Sequence, residues 1–254
     1  MKLHHIGFSQ SDLGVGAPQT VLLSGEPERS HYIAHTYLNN VQLLSEYRGL
    51  HSYLGFLATG KPILVATSGM GASSLSIVVN ELVQVGIKQF IRIGTCGSIQ
   101  PTVLVGSIVV SQAALCRQGA ALDIAPVEYP AVADPYLTVA LMETARRLDI
   151  PCHLGITASV DTFYEGQERT ESSANSHLQP WLLGITDSYR QLNILNYEME
   201  TGTLFKMAGV YGFTAAALSA VIAQRTESEN ILVADKDTAV KRAIQVAIET
   251  INSN

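Results

Sequence analysis

Short apolar runs recur along the chain, each closed by glycine or hydroxyl residues and followed by a stretch with helical spacing. Residues 3–8 read as a short edge strand. Val21-Leu22-Leu23-Ser24 reads as a buried strand that ends at Gly25-Glu26-Pro27-Glu28-Arg29. Pro27 stands where a helix opens, and Ile33, Ala34 and Leu38 continue it at helical spacing. Residues 41–58, interrupted by Gly49 and Gly55, suit a β-hairpin. Residues 61–66 form a strand running into Ser68-Gly69-Met70-Gly71. A helix over 73–85 follows, with Leu75, Val78, Val79, Leu82 and Val83 along one face. Residues 89–98 read as a buried strand that passes into a tight loop, with Gly94 and Gly97 bracketing Thr95 and Cys96.

Strands are predicted again over 107–114, 153–158 and 213–222. Helices are predicted over 134–148, 200–210 and 235–251, and one over 182–192 inside an otherwise irregular polar stretch, 165–193. In the closing helix Val240, Ile244, Val246 or Ala247, and Ile251 face inward. Strand and helix alternate with no linker-like tract and no repeat. The expectation is α/β, a single domain over 1–254 around a mixed, largely parallel sheet flanked by helices. Ligands in such folds lie at the carboxyl ends of strands, where the Gly25, Gly69–Gly71 and Gly94–Gly97 turns fall.

Composition narrows the function classes. The 254 residues are 47% hydrophobic and 15% charged, enough apolar material for one large core. A net charge of −6 without a basic stripe gives nucleic acid and anionic membranes no footing. Any anionic substrate must be held by local arginines. Cys96, Cys116 and Cys152 form no CxxC pair, which fits free thiols in a reducing, cytoplasmic setting. The seven histidines offer no metal-ligand spacing; on a strand the adjacent His4 and His5 would point opposite ways. No signal-like or membrane-length apolar segment is expected.

Three stretches carry candidate chemistry. Arg92 is a charge inside an apolar strand, and it reads either as half of a structural ion pair or as an anion ligand. With Arg29, Thr95 and Arg48 it would make a phosphate cage, since guanidinium forks match phosphate oxygens; singly, Arg29 and Arg48 also read as solvated charges. In Asn196-Tyr197-Glu198-Met199-Glu200-Thr201 the two carboxylates suit vicinal hydroxyls or, equally, a helix N-terminus. Thr162-Phe163-Tyr164-Glu165-Gly166-Gln167-Glu168-Arg169 offers stacking with planar donors and an acceptor, as a flat polar heterocycle needs, or is an ordinary surface loop. Neither glycine turn matches a phosphate-loop or dinucleotide fingerprint, so no nucleotide cofactor is expected.

Taken together, FIRIGTCGSIQP over 90–101, TFYEGQER over 162–169 and NYEMET over 196–201 resemble the nucleoside phosphorylase family, and within it the uridine-acting branch. The resemblance runs from His5-Ile6-Gly7 to Arg225-Thr226. It implies a mixed sheet closing into a barrel and phosphorolysis of uridine to uracil and ribose 1-phosphate. It also implies a homohexamer, or at least a homodimer. Phosphate would be bound by Gly25, Arg29, Arg92 and Thr95, with Arg48 supplied by a partner subunit. Ribose would be held by Met199, Glu200 and Thr95, with His5 from the partner. The base would meet Phe163, Gln167, Arg169, Cys96, Gly97, Tyr197, Glu198 and Ile222. Gln167, Arg169 and Arg225 would carry catalysis, Arg225 in or beside a loop closing over the base. Phosphate is the co-substrate, and no metal or other cofactor is implied.

The chain departs from the family pattern in three places. Glu26 stands for an aspartate, one methylene longer. Gly49 stands for an acid that helps hold a monovalent cation between subunits, which puts a bound potassium in doubt. Cys96 stands for a threonine. Purine-acting relatives carry an aspartate near the penultimate strand, whereas residues 213–226 contain none. A purine nucleoside phosphorylase, a nucleosidase using water and a non-catalytic nucleoside binder are the alternatives.

Overall fold

The computed structural model describes residues 1–226 and 233–253. Its strands are β1 (Thr20–Ser24), β2 (Asn39–Ser45), β3 (Ser52–Phe56), β4 (Pro62–Thr67), β5 (Gln89–Ser98), β6 (Ile108–Arg117), β7 (Cys152–Val160), β8 (Ile194–Glu198) and β9 (Thr214–Gln224). Its helices are α1 (Pro27–Tyr37), α2 (Ala72–Gln84), α3 (Gly119–Ile124), α4 (Pro135–Arg147), α5 (Ile185–Gln191), α6 (Thr201–Tyr211) and α7 (Val233–Ser253).

The strands form one 9-stranded sheet in the order β2-β3-β4-β1-β5-β8-β7-β6-β9, and a β5–β9 pairing closes the last five into a barrel. Pairing is parallel for β1 with β4 and β5, and for β5–β9, β6–β7 and β7–β8. It is antiparallel for β2–β3, β3–β4, β5–β8 and β6–β9. The sheet is therefore mixed, and β5 is its hub.

The two-residue period of the strands divides the core. Val21 and Leu23 pack with Leu75, Leu82, Phe90, Leu204 and Phe205 under α2 and α6. Leu22, Ile91 and Ile93 face the other way, onto Ile33 of α1, Leu141 of α4 and Ala243, Ile244 and Ala247 of α7. Both faces are covered, which is why these strands read as continuous apolar runs. The inward face of the closing helix agrees, although Val240 is only partly buried.

Three expectations are corrected. Residues 3–8 form a hydrogen-bonded turn rather than a strand, with Gly7 N–H donating to the Leu3 carbonyl and Leu3 N–H to that of Phe8. Gly7 sits at φ +73, a left-handed backbone that breaks extension. The His4 and His5 rings consequently meet edge to face, centroids 4.8 Å apart. The Gly94–Gly97 segment is strand, not loop, paired with β9 throughout. The helix α3 was absent from the pattern; its six residues are too few to show a period.

Candidate active site

Phe90, Arg92 and Gly94 share one face of β5. Arg92 folds forward along the strand, so that a methyl group on Gly94 would stand 2.2 Å from its Nη1. Glycine at 94 is thus demanded by room for the guanidinium. Arg92 Nη2 donates to Glu200 Oε2, and both side chains are buried. Glu200 Oε1 accepts from the N–H of Gly71, at 2.7 Å, where α2 begins. Burial, and the nearby Glu198 carboxylate, push the Glu200 carboxyl above its ordinary range, while Arg92 opposes them.

Arg29, in the first turn of α1, is also buried. Its Nη1 donates to the Ile93 carbonyl at 3.0 Å and its Nη2 to Glu26. Burial lowers the Arg29 pKa, and the Arg92 charge adds to this while Glu26 offsets it. The Nε atoms of Arg29 and Arg92 are buried with no hydrogen-bond partner among the described residues. Two half-satisfied guanidiniums side by side make a region that an anion would stabilise.

Gly25, Arg29, Arg92, Thr95 and Glu200 line a cavity of about 200 Å³ with Met199, Cys96 and Gly97. The same cavity takes in Phe163, Gln167, Arg169, Tyr197, Glu198 and Ile222. Arg169 lies over the Phe163 ring, 4.2 Å from its centroid, and its Nε is 3.4 Å from Gln167 Oε1; both polar side chains are buried. A Cβ at Gly97 would stand 3.7 Å from an Arg169 guanidinium nitrogen. Arg92 therefore reaches over Gly94 and Arg169 lies at Gly97, three residues or roughly 10 Å further along β5.

Residues 19–252 match the profile of the phosphorylase superfamily. A uridine phosphorylase of Haemophilus influenzae is 39% identical over 244 residues, covering 96% of this chain and 95% of its own. One from Salmonella typhimurium is 38% identical, with the same coverage. A DeoD-type purine nucleoside phosphorylase of Caldanaerobacter subterraneus subsp. tengcongensis is 30% identical, covering 96% of this chain and 98% of its own.

The chain belongs to the phosphorylase superfamily.

Within this phosphorylase scaffold the two carboxylates of the 198–200 turn have different surroundings. Glu198 Oε2 accepts from the N–H groups of Glu200 (2.9 Å) and Thr201 (2.8 Å) and from the Thr201 hydroxyl (2.8 Å). Its Oε1 accepts from Ser159. Its lone pairs serve the start of α6, whereas Glu200 turns to Arg92. The neighbouring Met199 carbonyl accepts from Gln118, whose Oε1 also takes the Thr203 N–H and hydroxyl. Sequence reasoning missed Gln118 and Ser159, because strand pairing of β7 with β8 and the packing of α6 beside the end of β6 bring them to this turn. It also missed Met70, Glu26 and Ala223 as cavity residues; Glu26 was legible, since it immediately follows Gly25.

Arg225 acts on the base-side loop from behind. Its Nη1 donates to the Gln167 carbonyl and its Nη2 to that of Glu168 at 3.4 Å, and it lies 5.7 Å from the Tyr197 ring. The expected loop closing over the base beside Arg225 falls in part on residues 227–232, which lie outside the described residues. Cys96 lines the cavity, but burial drives its thiol well above the usual range, so it is no thiolate. Two residues stand apart from the cavity of their own chain. Arg48 is exposed, at φ +58, beside the Tyr47 ring. His5 Nδ1 contacts Glu81 Oε1 at 2.6 Å in a separate groove. Gly49, at φ +74, occupies a left-handed position that an acid would find strained.

Proposed function

We propose that this chain catalyses phosphorolysis of uridine to uracil and ribose 1-phosphate, working as one domain over 1–254. The observation that carries the reading is the pair of buried guanidiniums along β5. Arg92, with Arg29, suits a phosphate, and Arg169, with Gln167, suits a uracil edge. Relatives of nearly equal length that are uridine phosphorylases support it.

In this reading a phosphate oxygen attacks C1′ of the ribose as the glycosidic bond breaks, and the bonding pair leaves with the base. Holding the phosphate against the sugar supplies much of the rate. The sugar passes through an oxocarbenium-like state, and Met199 and Glu200 hold its ribose. Arg169 and Gln167 donate to the oxygens of uracil as negative charge develops, which favours the transition state over the substrate. Arg225 fixes the loop that carries them. No metal or organic cofactor enters.

Arg48 and His5 serve the site of a neighbouring copy, in a homohexamer or at least a homodimer. The enzyme is cytoplasmic and works in pyrimidine salvage. Among the described residues no helix is long and apolar enough to cross a membrane.

Uracil release from uridine, followed with and without phosphate, tests the reading. Phosphate-dependent release is expected; release equally fast without phosphate would assign a nucleosidase, and no release a binding protein. Arg169→Ala should lower kcat/KM for uridine by about 10²-fold or more while leaving phosphate affinity unchanged.

A further inference from the structure

Glu168 stands between the two residues assigned to the base, yet it points elsewhere. It adopts the left-handed backbone, φ +52 and ψ +44, which side-chain-bearing residues seldom take. That reversal lets Gln167 and Arg169 both be buried at the cavity while the intervening side chain leaves it. The Glu168 carboxylate instead reaches across the chain. Oε1 accepts from the N–H of Gly184 at 2.5 Å, and Oε2 from that of Thr186 at 2.9 Å, where α5 begins.

One carboxylate thus closes residues 169–183 into a loop with a fixed base. Arg225 fixes the same point from the other side through the Gln167 and Glu168 carbonyls. Thr186, held by Glu168, is 3.1 Å through its hydroxyl from the Tyr197 phenol, and Tyr197 lines the cavity. The contacts around Glu168 converge on the base end of the site and on none of the phosphate ligands.

We propose that Glu168 is a positioning residue for base recognition: its clamp on the start of α5 sets the placement of Gln167 and Arg169 and thereby the choice of base. The proposal rests on the uridine reading above, which wild-type turnover tests on its own.

Steady-state kinetics of Glu168→Ala, Glu168→Gln and Glu168→Gly, with uridine and phosphate varied separately and cytidine as competing substrate, test it. Glu168→Ala should raise the uridine KM about tenfold or more and narrow the preference for uridine over cytidine, because small misplacements of binding groups are costly. The phosphate KM should not change. Glu168→Gln keeps one acceptor oxygen and should recover part of the loss. Glu168→Gly relieves the backbone but removes the carboxylate, and should behave as Glu168→Ala does. With wild type active on uridine, three results would overturn the proposal: an unchanged uridine KM in Glu168→Ala, an equal loss for uridine and phosphate, or wild-type behaviour of Glu168→Gly. If Glu168→Ala does not fold, the uridine and phosphate KM values of Glu168→Gln decide by the same criteria.

Discussion

Gly94 shows how a residue without a side chain is set by a neighbour that has a large one. Arg92 Nη1 occupies the space of a Cβ at 94, so Gly94→Ala must displace the guanidinium. The expected result is a loss of about 1–3 kcal/mol in stability, typical of overpacking, with a raised phosphate KM. Chemical denaturation and steady-state kinetics check it; an unchanged phosphate KM would show that Arg92 can bind from another rotamer. Glu26 is the chain-specific feature beside it. Its carboxylate holds Arg29 Nη2, a donor that a phosphate oxygen would use. Glu26→Ala should therefore lower the phosphate KM several-fold, at the order of a lost charge-assisted hydrogen bond. A higher KM would instead make Glu26 part of the phosphate site.

Among the elements, α2 links two sites. Its start supplies the Gly71 N–H to Glu200, and one turn from its end Glu81 anchors the N-terminal turn. Glu81 accepts from the N–H groups of His5 and Ile6 and faces the His5 ring. Burial raises the Glu81 pKa, but the Ile6 and His5 donors outweigh it and leave the carboxyl below its ordinary 4.5. As pH falls, the unfolded chain therefore takes up the proton first. The clamp's contribution is complete above about pH 4.5 and lost as pH falls through the depressed folded value. Glu81→Gln should thus be less stable than wild type at pH 7, with the gap closing in acid, as urea melts at several pH values would report. A gap independent of pH would mean that the clamp does not depend on the carboxylate's charge.

At the scale of the whole molecule, Arg48 and His5 decide how many chains make a site. Neither lines the cavity of its own chain. If Arg48 acts across a two-fold interface, mixing inactive Arg48→Ala and Arg169→Ala chains creates hybrids in which one site has every part. Unfolding and refolding an equal mixture should then restore about a quarter of wild-type activity, as random pairing around a two-fold axis requires. Action within one chain predicts no restoration. The activity of the mixture, measured against each variant refolded alone, separates the two.

Much of this was legible in the residues themselves. The buried runs around Val21–Ser24 and Phe90–Ile93, the helix opened by Pro27 and the turn before Thr201 follow from local spacing, because burial and capping act within a few residues. The three motif stretches pointed to the phosphorylase superfamily for the same reason: each is contiguous. What only tertiary structure decided depends on pairings far apart in the chain. Gly94 and Gly97 look like loop residues, yet they stay in a strand because β9 pairs with them and Arg92 fills the space over Gly94. Glu198 and Glu200 look alike in sequence; Glu198 holds the start of α6 only three residues on, whereas the fold carries Glu200 to Arg92, 108 positions away. Gln118 and Ser159 carried no local signal, and nothing in the 162–169 stretch told the contacts of Glu168 from those of its neighbours. Pairing of β7 with β8 sets Ser159 beside Glu198, the packing of α6 brings Thr203 to Gln118, and the loop over 169–183 returns Gly184 and Thr186 to Glu168; a one-dimensional pattern does not hold that information.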